Sequence, residues 1–426
     1  MRDLIKRLVI KILIWEAKAV LDRFNPFIIG VTGNLGKTST KDAIYAVMKT
    51  KYHTRRSEKS LNTEFGVPLT ILGEKSGWGN PYRWLIIVVK GFFVPWSKNY
   101  PTHLILEIGA DRPGDIKNIA TWIKPDITVV TQFGQVPVHV EFFKDREEVI
   151  KEKGYLVEAL KENGVFIYNA DDNDSVKLLD KTKARKISIG IHEKSDIQAQ
   201  NVKLYGSPIE GTEADVTLDG ETHHIVLPEV AGKSPVYSSL PAFAVARELG
   251  IEPDIAAASL RDSDKPKGRM RILKGMNNSI IIDDTYNASP KATEHGLKTL
   301  SEIETKGRKI AVLGDMLELG DYTHDEHYKI GKEAAKVCHK LYTVGIRARV
   351  MAEGALDEKM DDANIMQCDR SIDAGKELVQ VIEEGDIIYI KGSQSIRMER
   401  CVRMILAEEH DPRRVLVRQE KEWRVR

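Results

Sequence analysis

The hydrophobic residues that follow residue 26 alternate between two patterns along the chain. Short continuous apolar runs are separated by segments with helical periodicity, and the clearest of these segments is "REEVIKEKGYLVEALKEN". The runs include "FIIGVT", "HLILEIG", "DITVVTQF" and "GVFIYNA". Such runs are typical of strands that are buried on both faces of a parallel sheet. The pattern therefore predicts an α/β fold with functional groups at the carboxyl ends of the strands.

The pattern changes between residues 196 and 230, where alternating, turn-punctuated sequence predicts a small antiparallel subsheet. Two helical segments follow, "SSLPAFAVARELG" and "EPDIAAASLRDS", and then the charged link "DSDKPKGRMR". A second α/β series begins after the link, with the strands "SIIIDDTY", "KIAVLGDM", "KLYTVG" and "DIIYIKGS". We place a domain boundary near Asp262–Lys267, which divides the chain into residues 1–25, 26–264 and 265–426. Both large domains should have mainly parallel sheets.

Two apolar segments stand outside this α/β pattern. Residues 1–25 predict one amphipathic helix that ends before Pro26, and three basic residues interrupt its apolar run. Docking onto the following domain is the favoured interpretation, and contact with a membrane surface or a protein partner is the alternative. The second segment, Arg83–Trp96, predicts either a buried helix or an exposed patch, and the sequence leaves both open.

Composition narrows the class of protein. The 426 residues include 64 basic and 63 acidic residues, for a net charge of +1, which gives no electrostatic basis for binding nucleic acid. The three cysteines, Cys338, Cys368 and Cys401, are far apart and show neither a metal-binding spacing nor a disulfide framework. We therefore expect a cytoplasmic protein, and we expect it to be a monomer.

The segment "GVTGNLGKTSTKDAIYAVM" carries the strongest chemical signal. A strand, a glycine-bearing turn and a helix follow in that order, which directs backbone N–H groups and the positive end of the helix dipole at an anion. Lys37 should reach terminal phosphates, and the Thr38 hydroxyl should bind Mg²⁺. The predicted nucleotide-binding residues of this loop are Thr32, Gly33, Asn34, Leu35, Gly36, Lys37, Thr38 and Ser39.

The shortened spacing T-G-N-L-G-K-T resembles the ATP loop of the Mur ligase superfamily. Further similar segments extend from about Phe27 to Ala407, and they include "SLNTEFGVPLTIL", "LEIGADRPGDI" and "HVEFF" followed by "KEKGYLVEAL". In the last third, "DDTYNASP", "AVLGDMLELG" and "IYIKGSQSIRMERCV" are similar to the branch that adds D-alanyl-D-alanine to a UDP-linked muramoyl peptide. The resemblance implies a P-loop ATPase domain, then a Rossmann-like domain, and ATP-dependent amide formation through an acyl-phosphate in peptidoglycan synthesis.

The resemblance also implies a set of catalytic and metal-binding residues. Glu107 ends a buried strand, where an isolated carboxylate would be costly unless it bound metal. By resemblance Glu107 and His139 bind Mg²⁺, and Lys153, once carbamylated by CO₂, helps to hold a second Mg²⁺. Lys151 is a competing candidate for that lysine. Phosphoryl transfer depends mainly on positioning and charge, so Lys37, Lys153 and Arg269 form the expected catalytic set.

The remaining implied residues bind the nucleotide or the substrates. Arg269, Asp284 and Asn287 are expected to contact the nucleotide from the C-terminal domain, so that closure excludes water. The expected substrates are a small-molecule or nucleotide-linked peptide acceptor and a D-amino-acid dipeptide. The residues assigned to them are Asn62, Asp315, Met316, Leu319, Lys391, Gly392 and Ser393.

Several departures from the family pattern keep other functions open. The family's first domain, which grips the UDP-sugar, is expected to be missing, because the ATP loop begins only about thirty residues into the chain. "GKSPVYSS" stands where the family has an adenine-contacting asparagine, and Pro235 cannot donate that hydrogen bond. One alternative is a ligase for another acid, similar to folylpolyglutamate synthetases. Another is a nucleotide-binding accessory protein without catalytic activity.

Overall fold

The computed structural model describes residues 2–58, 61–134, 140–420 and 423. Two sheets with helices on both faces make up this part of the chain, which confirms the predicted α/β fold. The first large domain of the prediction holds the first sheet, and the second holds the other sheet.

The first sheet has nine strands: β1 (Phe27–Thr32), β2 (Thr54–Arg56), β3 (His103–Glu107), β4 (Ile127–Val130), β5 (Val165–Asn169), β6 (Arg185–Gly190), β7 (Ile197–Tyr205), β8 (Gly211–Leu218) and β9 (Glu221–Pro228). Their spatial order is β2-β3-β1-β4-β5-β6-β7-β8-β9. Neighbours are parallel from β2 to β7, whereas β7, β8 and β9 pair antiparallel. The predicted antiparallel subsheet is therefore present, as the edge of the same sheet.

The second sheet has six strands: β10 (Arg271–Lys274), β11 (Ile280–Asp284), β12 (Lys309–Gly314), β13 (Lys340–Val344), β14 (Ile365–Cys368) and β15 (Ile387–Lys391). Their order is β10-β11-β15-β12-β13-β14, and every pairing except β10 with β11 is parallel. The predicted boundary between residues 264 and 265 falls where the chain passes from one sheet to the other. The exact three-part division stays a prediction.

The helices cover both faces of the sheets. Those of the first half are α1 (Arg2–Phe24), α2 (Lys37–Met48), α3 (Gly66–Leu72), α4 (Pro81–Phe93), α5 (Asp115–Ala120), α6 (Arg146–Glu158), α7 (Asn173–Val176), α8 (Lys233–Glu248) and α9 (Pro253–Arg261). Those of the second half are α10 (Pro290–Glu302), α11 (Thr323–Val337), α12 (Arg349–Asp357), α13 (Ser371–Val381), α14 (Glu399–Ile405) and α15 (Pro412–Val415).

Alternate residues of each central strand supply two separate cores, which explains the continuous apolar runs. Ile29 of β1 packs in the core that α2 and α8 cover, whereas Ile28 packs in the core on the opposite face with α1 and α3. Both side chains are almost completely buried. A strand in this position needs apolar residues at every position, and this requirement separates it from a strand with one wet face.

The N-terminal helix forms as predicted and docks onto the first domain. It ends at Phe24, two residues before Pro26. Leu13, Ala17 and Val20 are fully buried where α1 packs against α3 and α4. The segment Arg83–Trp96, which the sequence left undecided, lies mostly in α4 and the short 3-10 turn Val94–Trp96. In α4 only Ile87 and Gly91 are buried.

Candidate active site between the two sheets

The loop after β1 is fixed by its own backbone and by the neighbouring strand. Gly36 adopts a left-handed conformation (φ 78°) immediately before α2. Gly33 has φ 130°, and a Cβ there would lie 2.1 Å from the Thr131 hydroxyl. Asn34 and Leu35 donate backbone hydrogen bonds to the Gln132 carbonyl at 2.8 and 2.9 Å. The glycines are therefore required by geometry, and α2 begins with its N-terminus at the loop, where an anion is favoured.

Several polar groups at or beside this loop lack a hydrogen-bond partner. In the described part of the chain, Thr32 Oγ1, Asn34 Nδ2 and Glu107 Oε2 are buried and accept or donate no hydrogen bond. A buried polar atom without a partner costs about 1–3 kcal/mol, so such a cluster indicates a site for a polar ligand. Lys37 Nζ folds back onto the carbonyl oxygens of Gly33 and Asn34 at 2.9 and 3.2 Å. Burial lowers the pKa of Lys37, and the Arg269 charge also lowers it, whereas Glu107 opposes this effect.

Glu107 is buried at the carboxyl end of β3, but its charge is not isolated. Its Oε1 accepts a hydrogen bond from Asn62 Nδ2 at 3.1 Å, and its Oε2 lies 3.6 Å from Lys41 Nζ. Lys41 is itself buried and donates to the Ser57 carbonyl at 2.7 Å. Because Lys41 already supplies a cation, the burial of Glu107 does not by itself require a metal. The unsatisfied Oε2 nevertheless fits a divalent cation, and the metal-binding role stays a prediction.

The buried Lys153 lies on α6 next to Glu152, whose carboxylate already accepts hydrogen bonds from another element. The Glu152 carboxylate accepts three backbone hydrogen bonds at the start of α5, from Gly114, Ile116 and Lys117, at 2.7–3.0 Å. Burial and then the Lys37 charge lower the pKa of Lys153 to about 7. Lys151, the competing candidate, is exposed, and the choice of Lys153 over it stays a prediction.

His139, the predicted metal-binding histidine, lies outside the described residues. Within the described ranges no group of three or more His, Cys, Asp or Glu side chains is arranged to hold a metal ion. The pair of predicted Mg²⁺ sites therefore stays a prediction.

Arg269 joins the two halves of the molecule. Its Nη2 donates to the Thr38 hydroxyl at 3.0 Å, across 231 positions of sequence. Its guanidinium lies 4.0 Å from the centre of the Tyr286 ring, and this contact orients it. Thr38, which we predicted as a Mg²⁺ ligand, thus accepts a hydrogen bond from the predicted inter-domain arginine.

Asp284 and Lys391 form a buried ion pair at the ends of β11 and β15. Lys391 Nζ donates to Asp284 Oδ2 and, at 3.0 Å, to the Asn287 carbonyl. Asp284 Oδ1 accepts from the Met270 backbone N–H at 3.2 Å. The pair therefore fixes the backbone beside Arg269 and the loop that carries Asn287.

A cleft of about 710 Å³ lies between the halves. Thirteen of the predicted site residues line it: Asn34, Leu35, Gly36, Lys37, Thr38, Ser39, Asn62, Glu107, Arg269, Asp284, Asn287, Lys391 and Ser393. The described residues that we predicted but that do not line it are Thr32, Gly33, Lys153, Asp315, Met316, Leu319 and Gly392.

The loop after β12 turns its predicted side chains away from the cleft. Asp315 Oδ1 accepts from the Ala348 backbone N–H at 2.7 Å, and Met316 and Leu319 are fully buried. The backbone N–H of Met316 donates to His327 Nε2 at 3.0 Å. The intervening residues Leu317 and Glu318 line the cleft instead. A substrate-binding role for Asp315, Met316 and Leu319 stays a prediction, whereas their observed contacts are structural.

The structure adds residues that the sequence analysis did not assign. Lys41 follows Lys37 by one helical turn, so their shared face of α2 was visible in the sequence. Tyr237 lines the cleft where "GKSPVYSS" begins α8, and its hydroxyl donates to Asp171 at 2.7 Å. Pro235 lies in the first turn of that helix, where no helical hydrogen bond is lost. Trp423 also lines the cleft. It lies far along the chain from the nucleotide loop, and no motif in the sequence indicated its role.

The chain is similar to known proteins over most of its length. Residues 31–246 match the Mur ligase middle domain, and residues 268–394 match the family model described as Mur ligase, glutamate ligase domain. The UDP-N-acetylmuramoyl-tripeptide–D-alanyl-D-alanine ligase of Bacillus subtilis strain 168 is 29% identical over 395 residues, which cover 92% of this chain and 78% of that protein.

Two solved structures share the fold. MurF ligase from Thermotoga maritima in complex with ADP has a TM-score of 0.76 at 24% identity, and the alignment covers 93% of this chain and 83% of that one. Folylpolyglutamate synthase from Mycobacterium tuberculosis has a TM-score of 0.65 at 15% identity, with 91% and 94% covered. The two domain matches, which follow one another along the chain as the two sheets do, confirm the family and the enzyme class predicted from the sequence. The chain therefore belongs to the Mur ligase family of ATP-dependent ligases.

Proposed function

We propose that this ligase uses ATP and Mg²⁺ to join D-alanyl-D-alanine to the carboxyl group of a UDP-N-acetylmuramoyl-tripeptide. The named activity of its relative from Bacillus subtilis is the source of both substrates. The predictions of a cytoplasmic location and a monomeric state accompany this proposal.

One observation carries the proposal. Arg269, from the second half of the molecule, donates to Thr38 at the start of α2, within a cleft that Lys37 and Glu107 also line. A nucleotide held at the loop would therefore meet cations from both halves. Phosphoryl transfer needs this arrangement, because its catalysis is mostly positioning and charge stabilisation.

The chemistry divides among the residues of the cleft. The loop N–H groups and Lys37 hold the transferring phosphates while a substrate carboxylate attacks the γ-phosphorus and ADP leaves. An amine then attacks the acyl carbon, and phosphate leaves. Arg269 neutralises charge on the phosphates, and closure of the two halves keeps water away from the acyl-phosphate. Asp284 and Lys391 fix the loop that carries Asn287 on the nucleotide side.

The donor set fits Mg²⁺. Glu107 Oε2 has no hydrogen-bond partner in the described part of the chain, and the Thr38 hydroxyl lines the same cleft. Oxygen ligands of these two types are the ones that Mg²⁺ prefers. When it is bound, Mg²⁺ supplies charge neutralisation at the phosphate oxygens.

Lys153 is suited to carbamylation, which we include in the proposal. CO₂ reacts with an uncharged amine: an N–C bond forms, a proton is released, and the product is an anionic carbamate. Because the pKa of Lys153 is lowered to about 7, a large share of its amine is uncharged at neutral pH. The carbamate and His139 would then hold the second Mg²⁺.

The test is turnover by the full chain with ATP, Mg²⁺, UDP-N-acetylmuramoyl-tripeptide and D-alanyl-D-alanine. We expect phosphate release that requires both substrates, together with a new amide detected by mass spectrometry. Parallel reactions replace the acceptor with a folate and the amine with glutamate.

Three results would contradict the proposal in different ways. Turnover with the folate and glutamate alone would identify a different acid acceptor. Phosphate release that ignores every amine would exclude amide formation. Nucleotide binding without any turnover would favour the accessory-protein alternative.

A further inference from the structure

An exposed aromatic surface forms where α1 meets α4 and the 3-10 turn that follows it. We name it the aromatic surface, and it consists of Trp15, Tyr82, Leu85, Val89, Phe92, Phe93 and Trp96. Tyr82 is 71% exposed, Trp96 68% and Phe93 62%. Contiguous exposed apolar residues on this scale mark an interaction site rather than ordinary surface.

The rings of this surface contact one another. Phe92 stacks on Trp15 with ring centroids 6.3 Å apart, and it lies 5.5 Å from both Phe93 and Trp96. An open groove of about 900 Å³ runs between α1 and α4. Trp15, Phe92 and Trp96 line the groove together with Arg23 and Lys98. The buried Glu16 also lines it, and burial raises the pKa of this carboxyl to about 7. Apolar walls and cations therefore share one groove, which suits an amphiphile with an anionic head.

The charges around the aromatic surface are mainly positive. Residues 81–98 contain Arg83, Lys90 and Lys98 and no acidic residue, and α1 contains six basic and three acidic residues. One of those acids, Glu16, is buried between the helices, and Lys90 pairs with Glu74 at 3.6 Å. The whole chain has a net charge of only +1, so this excess of positive charge is local.

We propose that the aromatic surface binds the headgroup–acyl boundary of an anionic lipid bilayer. Tryptophan, tyrosine and phenylalanine side chains flanked by lysine and arginine are the composition that partitions into this boundary. Among the described helices, none is long and apolar enough to cross a membrane. A protein partner would need both a complementary apolar face and acidic groups opposite Arg83 and Lys98. An anionic bilayer already presents negative headgroups beside its apolar interior.

The aromatic surface is connected to the cleft. Trp78, in the loop that precedes α4, meets the edge of Trp423 with ring centroids 6.4 Å apart, and Trp423 lines the cleft. Trp84 of α4 donates to the Trp78 carbonyl at 2.9 Å. These contacts link the loop before α4 to a residue of the cleft lining.

The test is flotation of the full chain with phosphatidylcholine vesicles that contain or lack phosphatidylglycerol. We expect binding to the anionic vesicles, weakened by salt. The variant Phe93→Ser with Trp96→Ser should lower the partition coefficient by about tenfold or more, because two interfacial rings are removed. The matched control is Leu356→Ser with Met366→Ser, which removes two apolar side chains of 43% and 41% exposure from the second half. It should bind as the wild type does.

A second pair of variants tests the charge. Arg83→Glu with Lys98→Glu should weaken binding to anionic vesicles by about tenfold or more, since each cation near such a surface contributes about fivefold. Lys183→Glu with Lys186→Glu, which changes two exposed lysines elsewhere, should have no such effect. Circular dichroism and turnover should stay unchanged in all four variants.

Equal binding of the wild type to both kinds of vesicle would overturn the proposal. Unchanged binding by both the aromatic variant (Phe93→Ser with Trp96→Ser) and the charge variant (Arg83→Glu with Lys98→Glu) would also overturn it. Sedimentation of the wild type provides a further check. A dimer that Phe93→Ser with Trp96→Ser dissociates, without vesicle binding, would show that a second copy of the chain covers the surface. The charge variants keep the test valid if the aromatic variant fails to fold.

Discussion

The loops after β1 and β12 end similar strands and differ in what their side chains do. Both strands are central and parallel, and both loops carry motifs that resemble those of the family. The loop after β1 leaves Thr32 and Asn34 with unsatisfied buried polar atoms and presents Lys37 to the cleft. The loop after β12 satisfies Asp315 with the Ala348 N–H and buries Met316 in the core.

This difference shows that the position of a loop and the availability of its side chains for a ligand are separate properties. The carboxyl end of a parallel strand places a loop at the ligand edge of the sheet. Whether its side chains face the ligand depends on the hydrogen bonds and apolar contacts that already occupy them. An unsatisfied polar atom therefore indicates a ligand site more directly than the strand end does.

The largest expected effect comes from the loop after β1. Lys37→Ala should lower kcat by about a thousandfold or more, because the transferring phosphates lose their cation. Burial lowers the pKa of Lys37, so its charge destabilises the free protein, and the midpoint of thermal unfolding should not fall. Lys49→Ala, an exposed lysine just beyond the same helix, is the control. A comparable loss of stability and activity in Lys37→Ala would mean that this loop is structural too.

Variants of Lys153 test whether a buried residue that does not line the cleft still contributes to catalysis at the loop after β1. Lys153→Ala should lower kcat by about a hundredfold, and Lys153→Glu should restore part of the loss by replacing the carbamate charge. The exposed Lys151→Ala should have no effect. Activity should also fall as pH decreases below about 7, the value to which burial lowers the pKa, because the protonated amine cannot react with CO₂. Failure of ¹³C-labelled CO₂ to appear on the protein would contradict this account.

Arg269 tests the link between the halves. Arg269→Ala should raise KM for ATP and lower kcat/KM by about ten- to a hundredfold, because both the Thr38 hydrogen bond and the phosphate contact are lost. Arg269→Lys should not restore activity, since an ammonium lacks the planar fork. Arg271→Ala removes an arginine two positions away that pairs with Glu229 at 3.0 Å, and it should change kinetics less than twofold. Equal kinetics for the two alanine variants would remove the proposed role of Arg269.

A substitution in the loop after β12 should change the stability of the protein more than its activity. Asp315→Ala should reduce the free energy of unfolding by about 1–3 kcal/mol, because the Ala348 N–H loses its buried acceptor. KM for the amine should change by less than about threefold. Asp361→Ala, which removes a similar but exposed acceptor of the Ala363 N–H, should cost less. A tenfold rise in KM at unchanged stability would show that Asp315 binds substrate after all.

The smallest effect should come from His327, which holds the same loop in its neutral form. Its Nε2 accepts from Met316, and its Nδ1 donates to the Thr323 carbonyl at 2.6 Å. Burial lowers the pKa of His327 below its ordinary value of 6.5. Its contribution to stability is therefore fully present above pH 6.5 and is lost as pH falls through the lowered pKa.

Denaturant unfolding at pH values above and below 6.5 measures this effect. His327→Gln should be less stable at high pH and should show a flatter pH dependence. His324→Gln, which changes an exposed histidine on the same helix, should follow the wild type. Identical pH profiles for wild type and His327→Gln would exclude the neutral histidine as a support of the loop.

The sequence predicted the central strands well and the edge strands poorly. "FIIGVT" and "HLILEIG" identified β1 and β3, because strands buried on both faces need apolar residues throughout. The interior strand β6, with the sequence RKISIG, was missed because its first two residues are basic and exposed, which shortens its apolar run. The short strands β2, β10 and β14, with the sequences TRR, RILK and IMQC, were also missed. They lie at sheet edges, where one neighbour provides the pairing and little apolar sequence is needed.

The site shows a similar division. The loop after β1 was predictable because glycine, lysine and threonine are required at fixed positions between a strand and a helix. The balance of charge at Glu107 was not predictable, since Lys41 reaches it from a different element. The contact of Trp78 with Trp423 joins residues far apart in the chain, and no local pattern encodes it.

The sequence by itself determined the order of most strands and helices, the nucleotide loop and the family, because these depend on local periodicity and on residues at fixed spacing. Only the tertiary structure decided which strand-end side chains stay available to a ligand, how Arg269 meets Thr38, and which face of α4 is left exposed. Those features depend on which distant groups compete for the same polar atoms and the same apolar area. Such competition arises only when the elements pack together.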